Sequence, residues 1–175
     1  DEITMKDLEL HKSGEHERVI RLIENELLTE EEIIPFRQYP GIAPGVDVAH
    51  KIVKLAVFER HHHSGHVGLG FLGNYSLQCG AVASSIAHDS HNLIVAGTND
   101  ADMVLAGNTV RKSKGGLAFV VNGRVIGELP LPVAGLMSAE SVEVVMENVQ
   151  HLKDALRTHG IAEGIDPFMT LAFVS

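Results

Sequence analysis

The stretch Leu117-Ala-Phe-Val-Val-Asn-Gly-Arg-Val-Ile-Gly-Glu-Leu129 decides the fold class. Two apolar, β-branched runs flank Asn122-Gly123, and a two-residue turn of that composition tolerates the positive φ angles that a tight antiparallel hairpin needs. Pro130 and Pro132 then end the return strand, because proline has no N–H for a ladder. Upstream, Thr98-Asn99-Asp100 caps a helix, with Asp102 in its first turn and Met103, Ala106 and Val110 on one face. That helix runs to about Lys112 and stops at Gly115-Gly116, with Arg111, Lys112 and Lys114 at its carboxyl end. Downstream, Ser138 opens a longer helix with Glu140 and Glu143 near its start. Its apolar positions Val142, Val145, Val149, Leu152 and Leu156 recur at three and four residues, and Gly160 supplies the stop.

Further strands are expected at Ile52 to Glu59, where Lys54 is the only internal charge, at Ala81 to Ala87 and at Leu93 to Ala96. A last strand is expected from Asp166-Pro167 through Phe168, Met169, Leu171 and Phe173. In the passage His66-Val-Gly-Leu-Gly-Phe-Leu-Gly73, alternate glycines let another backbone or a ligand approach one face. Residues 1 to 14 read as a loosely tied lead-in, and residues 15 to 175 as the domain. Between Glu15 and Phe36 the signals conflict: Val19, Ile20, Leu22 and Ile23 suit a strand, whereas Glu24 to Glu32 suit a helix. The two Pro-Gly pairs between Gln38 and Gly45 make a loop. The class is therefore α+β (mixed α/β): a β-sheet containing the antiparallel Asn-Gly hairpin, covered by two principal helices.

The chain has 175 residues, 45% of them apolar and 21% charged, with 14 Lys plus Arg against 23 Asp plus Glu. A net charge of −9 disfavours nucleic acid and anionic lipid as partners. No apolar run approaches the roughly 20 residues of a membrane span, and no secretory signal opens the sequence, so a soluble, cytoplasmic protein is expected. The chain opens on Asp1 and ends in an apolar run, which reads as a piece of a longer protein. The single cysteine, Cys79, has no neighbouring cation to make it a nucleophile. Ser84 and Ser85 lack the Gly-flanked elbow of a hydrolase serine. Gly68 to Gly73 has the spacing G-x-G-x-x-G, but Asn74-Tyr75-Ser76 after it opens no helix, so a phosphate loop is not expected.

The unusual feature is 11 histidines, clustered at His61, His62, His63 and His66 and at His88 and His91. His61, His63 and His66 are weak candidates for a metal site: alternate residues of an extended chain share a direction, but no carboxylate or thiol stands beside them. His88-Asp-Ser-His-Asn92 lies between two apolar strands. Asp89 could orient His88 or His91 as a base, the three could ligate a metal, or the segment could be a turn in which Asp89 and Asn92 bond the backbone.

Several blocks resemble, in order, the carboxyl-terminal domain of prokaryotic adenine deaminases. They are Glu59-Arg60-His61, Gly68-Leu-Gly-Phe71, Gly80 to Asn92, Gly97-Thr-Asn-Asp100, Gly115-Gly116, Glu128-Leu-Pro-Leu-Pro132, Ala134-Gly-Leu-Met-Ser138 and Asp166-Pro-Phe-Met-Thr-Leu171. The resemblance covers about residues 15 to 175 and implies that Arg18 to Glu24 is a strand. It implies an amidohydrolase-superfamily enzyme with a metal-bearing barrel elsewhere in the same polypeptide. The reaction implied is hydrolysis of adenine to hypoxanthine and ammonia by metal-bound hydroxide, with Mn or Fe held by barrel ligands that have no counterpart here. No catalytic residue and no cofactor are thus expected in this chain, and alone it should be inert. Glu59, Arg60, His61, His88, Asp89, His91 and Asn92 are candidates for the mouth of the active site, where a purine needs donors and acceptors facing its ring nitrogens. The alternatives are a non-catalytic packing or homo-oligomerisation module, with Leu129 to Met137 as its interface, and a stand-alone metal-binding domain.

Overall fold

The computed structural model describes residues 2–10, 14–62 and 64–174. Their strands are β1 (His16–Leu22), β2 (Thr29–Pro35), β3 (Ile52–Phe58), β4 (Val67–Gly73), β5 (Ala81–Ser84), β6 (Leu93–Gly97), β7 (Gly116–Val121) and β8 (Arg124–Pro130). They form one sheet in the order β2-β1-β4-β3-β6-β5-β7-β8, antiparallel throughout except for β1 beside β4. The helices are α1 (Asp100–Lys112), α2 (Val142–Thr158) and the short α3 (Met169–Ala172). The mixed α+β class follows. Between β7 and β8, Val121 pairs with Arg124, and Asn122 and Gly123 both have positive φ, 50° and 73°.

Strand alternation splits the core between the two faces of the sheet. Val53 and Leu55 of β3 and Leu117, Phe119 and Val121 of β7 join Leu152 and Leu156 of α2. The intervening Ala56, Phe58, Ala118 and Val120 join Met103, Ala106 and Val110 of α1. The two main helices therefore cover opposite faces, and strands buried on both sides need unbroken apolar runs. The exception is Lys54, fully buried, whose ammonium donates to Leu8 O and, at 2.8 Å, to Asp100 Oδ1. A buried charge persists only when paired and hydrogen-bonded in this way.

Between Glu15 and Phe36, where the sequence signals conflict, Glu24 to Glu32 supplies a turn and the start of β2. Pairing with β1 overrides propensity, and Arg18–Glu31 and Arg21–Glu32 ion pairs (3.2 and 2.8 Å) lace the two strands. The expected final strand is instead a turn at Pro167 and Phe168 leading into α3. Asp166 Oδ1 accepts the Phe168 and Met169 N–H groups at 3.1 and 3.0 Å, which turns the chain, and Leu171 and Ala172 pack as buried residues. The long helix begins at Val142, capped by Ser141 rather than Ser138, and Val142 itself is 69% exposed. Residues 2–10 are also packed rather than loosely tied: Ile3 and Leu8 are buried, and Ile3 exchanges two hydrogen bonds with the Asn108 side chain of α1.

Where β3 ends at Phe58, β6 begins at Leu93 and β5 ends at Ser84, the sheet presents one edge, here called the upper edge.

Candidate functional site

Two of the blocks singled out in the sequence meet at the upper edge. β3 delivers Glu59, Arg60 and His61, and the β5–β6 connection delivers His88 to Asn92, because Phe58 and Leu93 are cross-strand partners. Arg60 joins them: its Nε donates to His91 O and its Nη2 to Ala134 O at 2.8 Å. His61 Nε2 lies 2.9 Å from Ser90 O. Ser85 Oγ donates to Gly135 O at 2.6 Å and accepts the Gly116 N–H at 2.7 Å, fastening the 133–137 turn to the same edge. Gly135 has φ 76°, and a Cβ there would stand 2.7 Å from the Arg60 guanidinium, so only glycine fits beneath that side chain.

Glu59 is committed to its own loop. Its carboxylate accepts the N–H groups of His61, His62 and Ser64 and the Ser64 hydroxyl. Hydrogen bonds from the Ser64 and His62 backbone, the largest causes, lower its pKa to about 2 against the opposing effect of burial. It stays an anion at every physiological pH, and no lone pair is left for general acid–base work. Glu59 and Arg60 are thus committed to holding backbone, and the residues they hold form the candidate surface.

That surface is the turn. Asp89 and His91 are both in the left-handed region, φ 63° and 46°, a conformation that costs a non-glycine residue on the order of 1 kcal/mol. His88 and Asp89 project into solvent, with His88 Nδ1 3.3 Å from Asp89 Oδ2. The His88 N–H donates to Ala172 O, and its ring stacks on Phe173. The Asn92 N–H donates to Ser90 Oγ at 3.4 Å. His91 is half-buried, and its Nδ1 is buried without a hydrogen-bond partner among the described residues. An orphaned buried ring nitrogen in a strained turn is an unsatisfied polar group of the kind found at functional sites. Val133, Met137 and Phe173, exposed by 45, 58 and 39%, surround the polar turn with apolar surface.

Of the weak metal candidates, His61 Nε2 faces Ser90 O, His66 is exposed, and His63 lies outside the described residues. Among the described residues, no three His, Cys, Asp or Glu side chains are placed to hold an ion. Ser84 and Ser85 are buried, and Cys79 is half-buried with its thiol pKa raised by burial and by the Asp102 charge. No described helix is long and apolar enough to cross a membrane. Phe173, Ser85 and the Ala134-Gly135 turn gave no sign in the sequence of belonging here. Their contacts join residues tens of positions apart.

The profile of the adenine deaminase C-terminal domain matches residues 26–175. The chain is 42% identical to adenine deaminase 2 of Carboxydothermus hydrogenoformans, over 99% of its own length and 30% of the relative's. It is 45% identical to the adenine deaminase of Kosmotoga olearia, over 98% of the chain and 30% of that protein. The adenine deaminase of Oleidesulfovibrio alaskensis is 45% identical over 90% of the chain and 27% of that protein. The chain thus spans about 30% of the length of the curated relatives it matches. A profile match over residues 26–175, most of the chain, makes it a member of the adenine deaminase C-terminal domain family.

Proposed function

We propose that this chain works as the carboxyl-terminal part of a cytoplasmic adenine deaminase, which hydrolyses adenine to hypoxanthine and ammonia, and that its upper edge completes the mouth of the active site. The catalytic metal, Mn or Fe, belongs in this reading to a barrel elsewhere in the polypeptide; among the described residues no three His, Cys, Asp or Glu side chains are placed to hold an ion. The observation that carries the reading is the turn from His88 to Asn92. Arg60 holds His91 O, Asp89 and His91 have positive φ, His88 and Asp89 are exposed, and His91 Nδ1 has no hydrogen-bond partner among the described residues. Imidazole, carboxylate and amide groups present both donors and acceptors, which is what an edge-on purine requires. A fixed turn presents them without an ordering cost at the moment of binding.

In the full-length polypeptide, replacing His88, Asp89 and His91 together by alanine should lower kcat/KM for adenine at least tenfold and leave Tm within a few degrees. A fall in Tm with unchanged kcat/KM would make the turn structural. The 175-residue chain alone, supplied with Mn, should not turn over adenine; appreciable activity would place the chemistry here. The packing-module reading draws on Val133 and Met137, which are exposed, although Leu129 and Leu131 of the same stretch are buried. A dimeric mass for the chain alone by light scattering would favour it.

A further inference from the structure

The α2 face of the sheet is only partly covered. α2 lies over β7 and β8, and the segment from Pro167, whose carbonyl accepts the Tyr75 hydroxyl, to Ala172, whose carbonyl accepts the His88 N–H, rises over the centre. Beyond them, no described residue forms a covering layer over the upper parts of β4, β1 and β2. Gly68 and Gly70 alternate with Val67, Leu69 and Phe71 and so point to this face, paired with Val57 and Leu55. A Cβ on either glycine would meet nothing within 4 Å. Val57 and Ile20 beside them are only half-buried, and Ile33, across from Arg18 on the edge strand, is 65% exposed. The opposite face of the same strands is closed: Val19, Ile52 and Phe71 form a core with Leu10, Ile34 and Phe36.

We infer that this glycine-floored quadrant is where the preceding part of the same polypeptide docks. Glycine in mid-strand forgoes side-chain packing and costs backbone entropy, a loss of roughly 0.5–1 kcal/mol each relative to alanine. The loss has a structural purpose if another backbone approaches that face. The occupant is indicated by two observations. About 70% of each relative's length lies outside the region this chain matches. Ile3, pinned to Asn108 and lining the upper-edge cleft with Phe58 and Leu93, brings the start of the chain to the edge the quadrant adjoins. A tethered partner docks at a high effective concentration, so a modest apolar patch suffices. Leu171 packs in the core on the same face, close in the chain to Phe173, whose ring stacks on His88, so docking there would also hold the turn against the partner. In this respect the inference rests on the reading above.

Hydroxyl-radical footprinting of the 175-residue chain and of the full-length polypeptide tests it. Side-chain oxidation of Ile20, Ile33 and Val57 should be at least fivefold slower in the full-length protein. Gly68→Glu and Gly70→Glu, placed where this domain leaves space, should restore the faster rate there and leave the Tm of the short chain unchanged. Equal rates in the two unsubstituted proteins overturn the inference. Protection already present in the short chain, together with a doubled mass, overturns it in favour of a second copy. The His88, Asp89 and His91 alanine variant separates the two readings. A protected quadrant with unaltered kcat/KM refutes only the active-site mouth, whereas lowered kcat/KM with an open quadrant refutes only the docking surface.

Discussion

The imidazole of His88 stacks on the phenyl ring of Phe173, with centroids 4.9 Å apart and 22° between the ring planes. With the bond from His88 N–H to Ala172 O at 2.7 Å, this contact ties the polar turn to the last described residues of the chain. Phe173→Ala should therefore free the His88 ring and cost about 1 kcal/mol. The His88 Cε1–H resonance should move by loss of the ring current, and an unmoved resonance would mean that the stack is not populated in solution.

Arg60 holds two backbone segments, through His91 O and Ala134 O. Arg60→Ala should cost about 2 kcal/mol in urea unfolding, the order expected for charged hydrogen bonds to carbonyls. Arg60→Lys should recover less than half, because a single ammonium cannot reproduce the planar fork.

Asp100 is the carboxylate partner of the buried Lys54 ammonium. Asp100→Asn leaves that ammonium with the Leu8 carbonyl as its main partner and should destabilise the fold by roughly 2–4 kcal/mol. Lys54→Met with Asp100→Asn should cost less than Asp100→Asn alone, which a double-mutant cycle would measure.

Glu17 is 7% exposed, and both its carboxylate oxygens are without hydrogen-bond partners among the described residues. Burial first, and then the charge of Asp47, raise its pKa from 4.5 to about 7. Between pH 4.5 and 7 the folded chain holds this proton more tightly than the unfolded one, so stability falls as pH rises through that window and levels off above it. Glu17→Gln should thus gain about 1–3 kcal/mol at pH 8 and almost nothing at pH 4.5. A gain independent of pH would show that Glu17 is not the titrating group.

Two glycines should respond in opposite ways. Gly80 has φ 93°, and a Cβ there would lie 2.2 Å from Val120 O, so Gly80→Ala should cost at least about 3 kcal/mol. Gly68→Ala enters open space in an ordinary strand conformation and should stabilise the chain by about 0.5 kcal/mol. Thermal melts of the two variants decide this.

The candidate site was partly legible. Polar residues packed between two apolar strands marked the turn from His88 to Asn92, and strand pairing explains why it meets Glu59 and Arg60. The division of labour was not legible: Glu59 and Arg60 look like reactive groups in a sequence, yet the structure turns their polar atoms onto backbone. Nor could spacing show that His61 faces Ser90 O.

The sequence by itself determined the elements whose signals are local. The Asn122-Gly123 hairpin, α1 between Asn99 and Lys112, and the lower half of α2 with Leu152 and Leu156 depend on turn chemistry, capping and periodicity within a few residues. Tertiary structure decided the rest. Thr29–Pro35 became a strand because β1 lay ready to pair with it, and Phe168 to Phe173 became a capped turn and short helix because Asp166 seized two amides. The open face at Gly68 and Gly70 is likewise invisible in one dimension, since alternating glycines look the same whether a neighbour fills the space above them or leaves it empty. Contacts between residues far apart in sequence supply that difference.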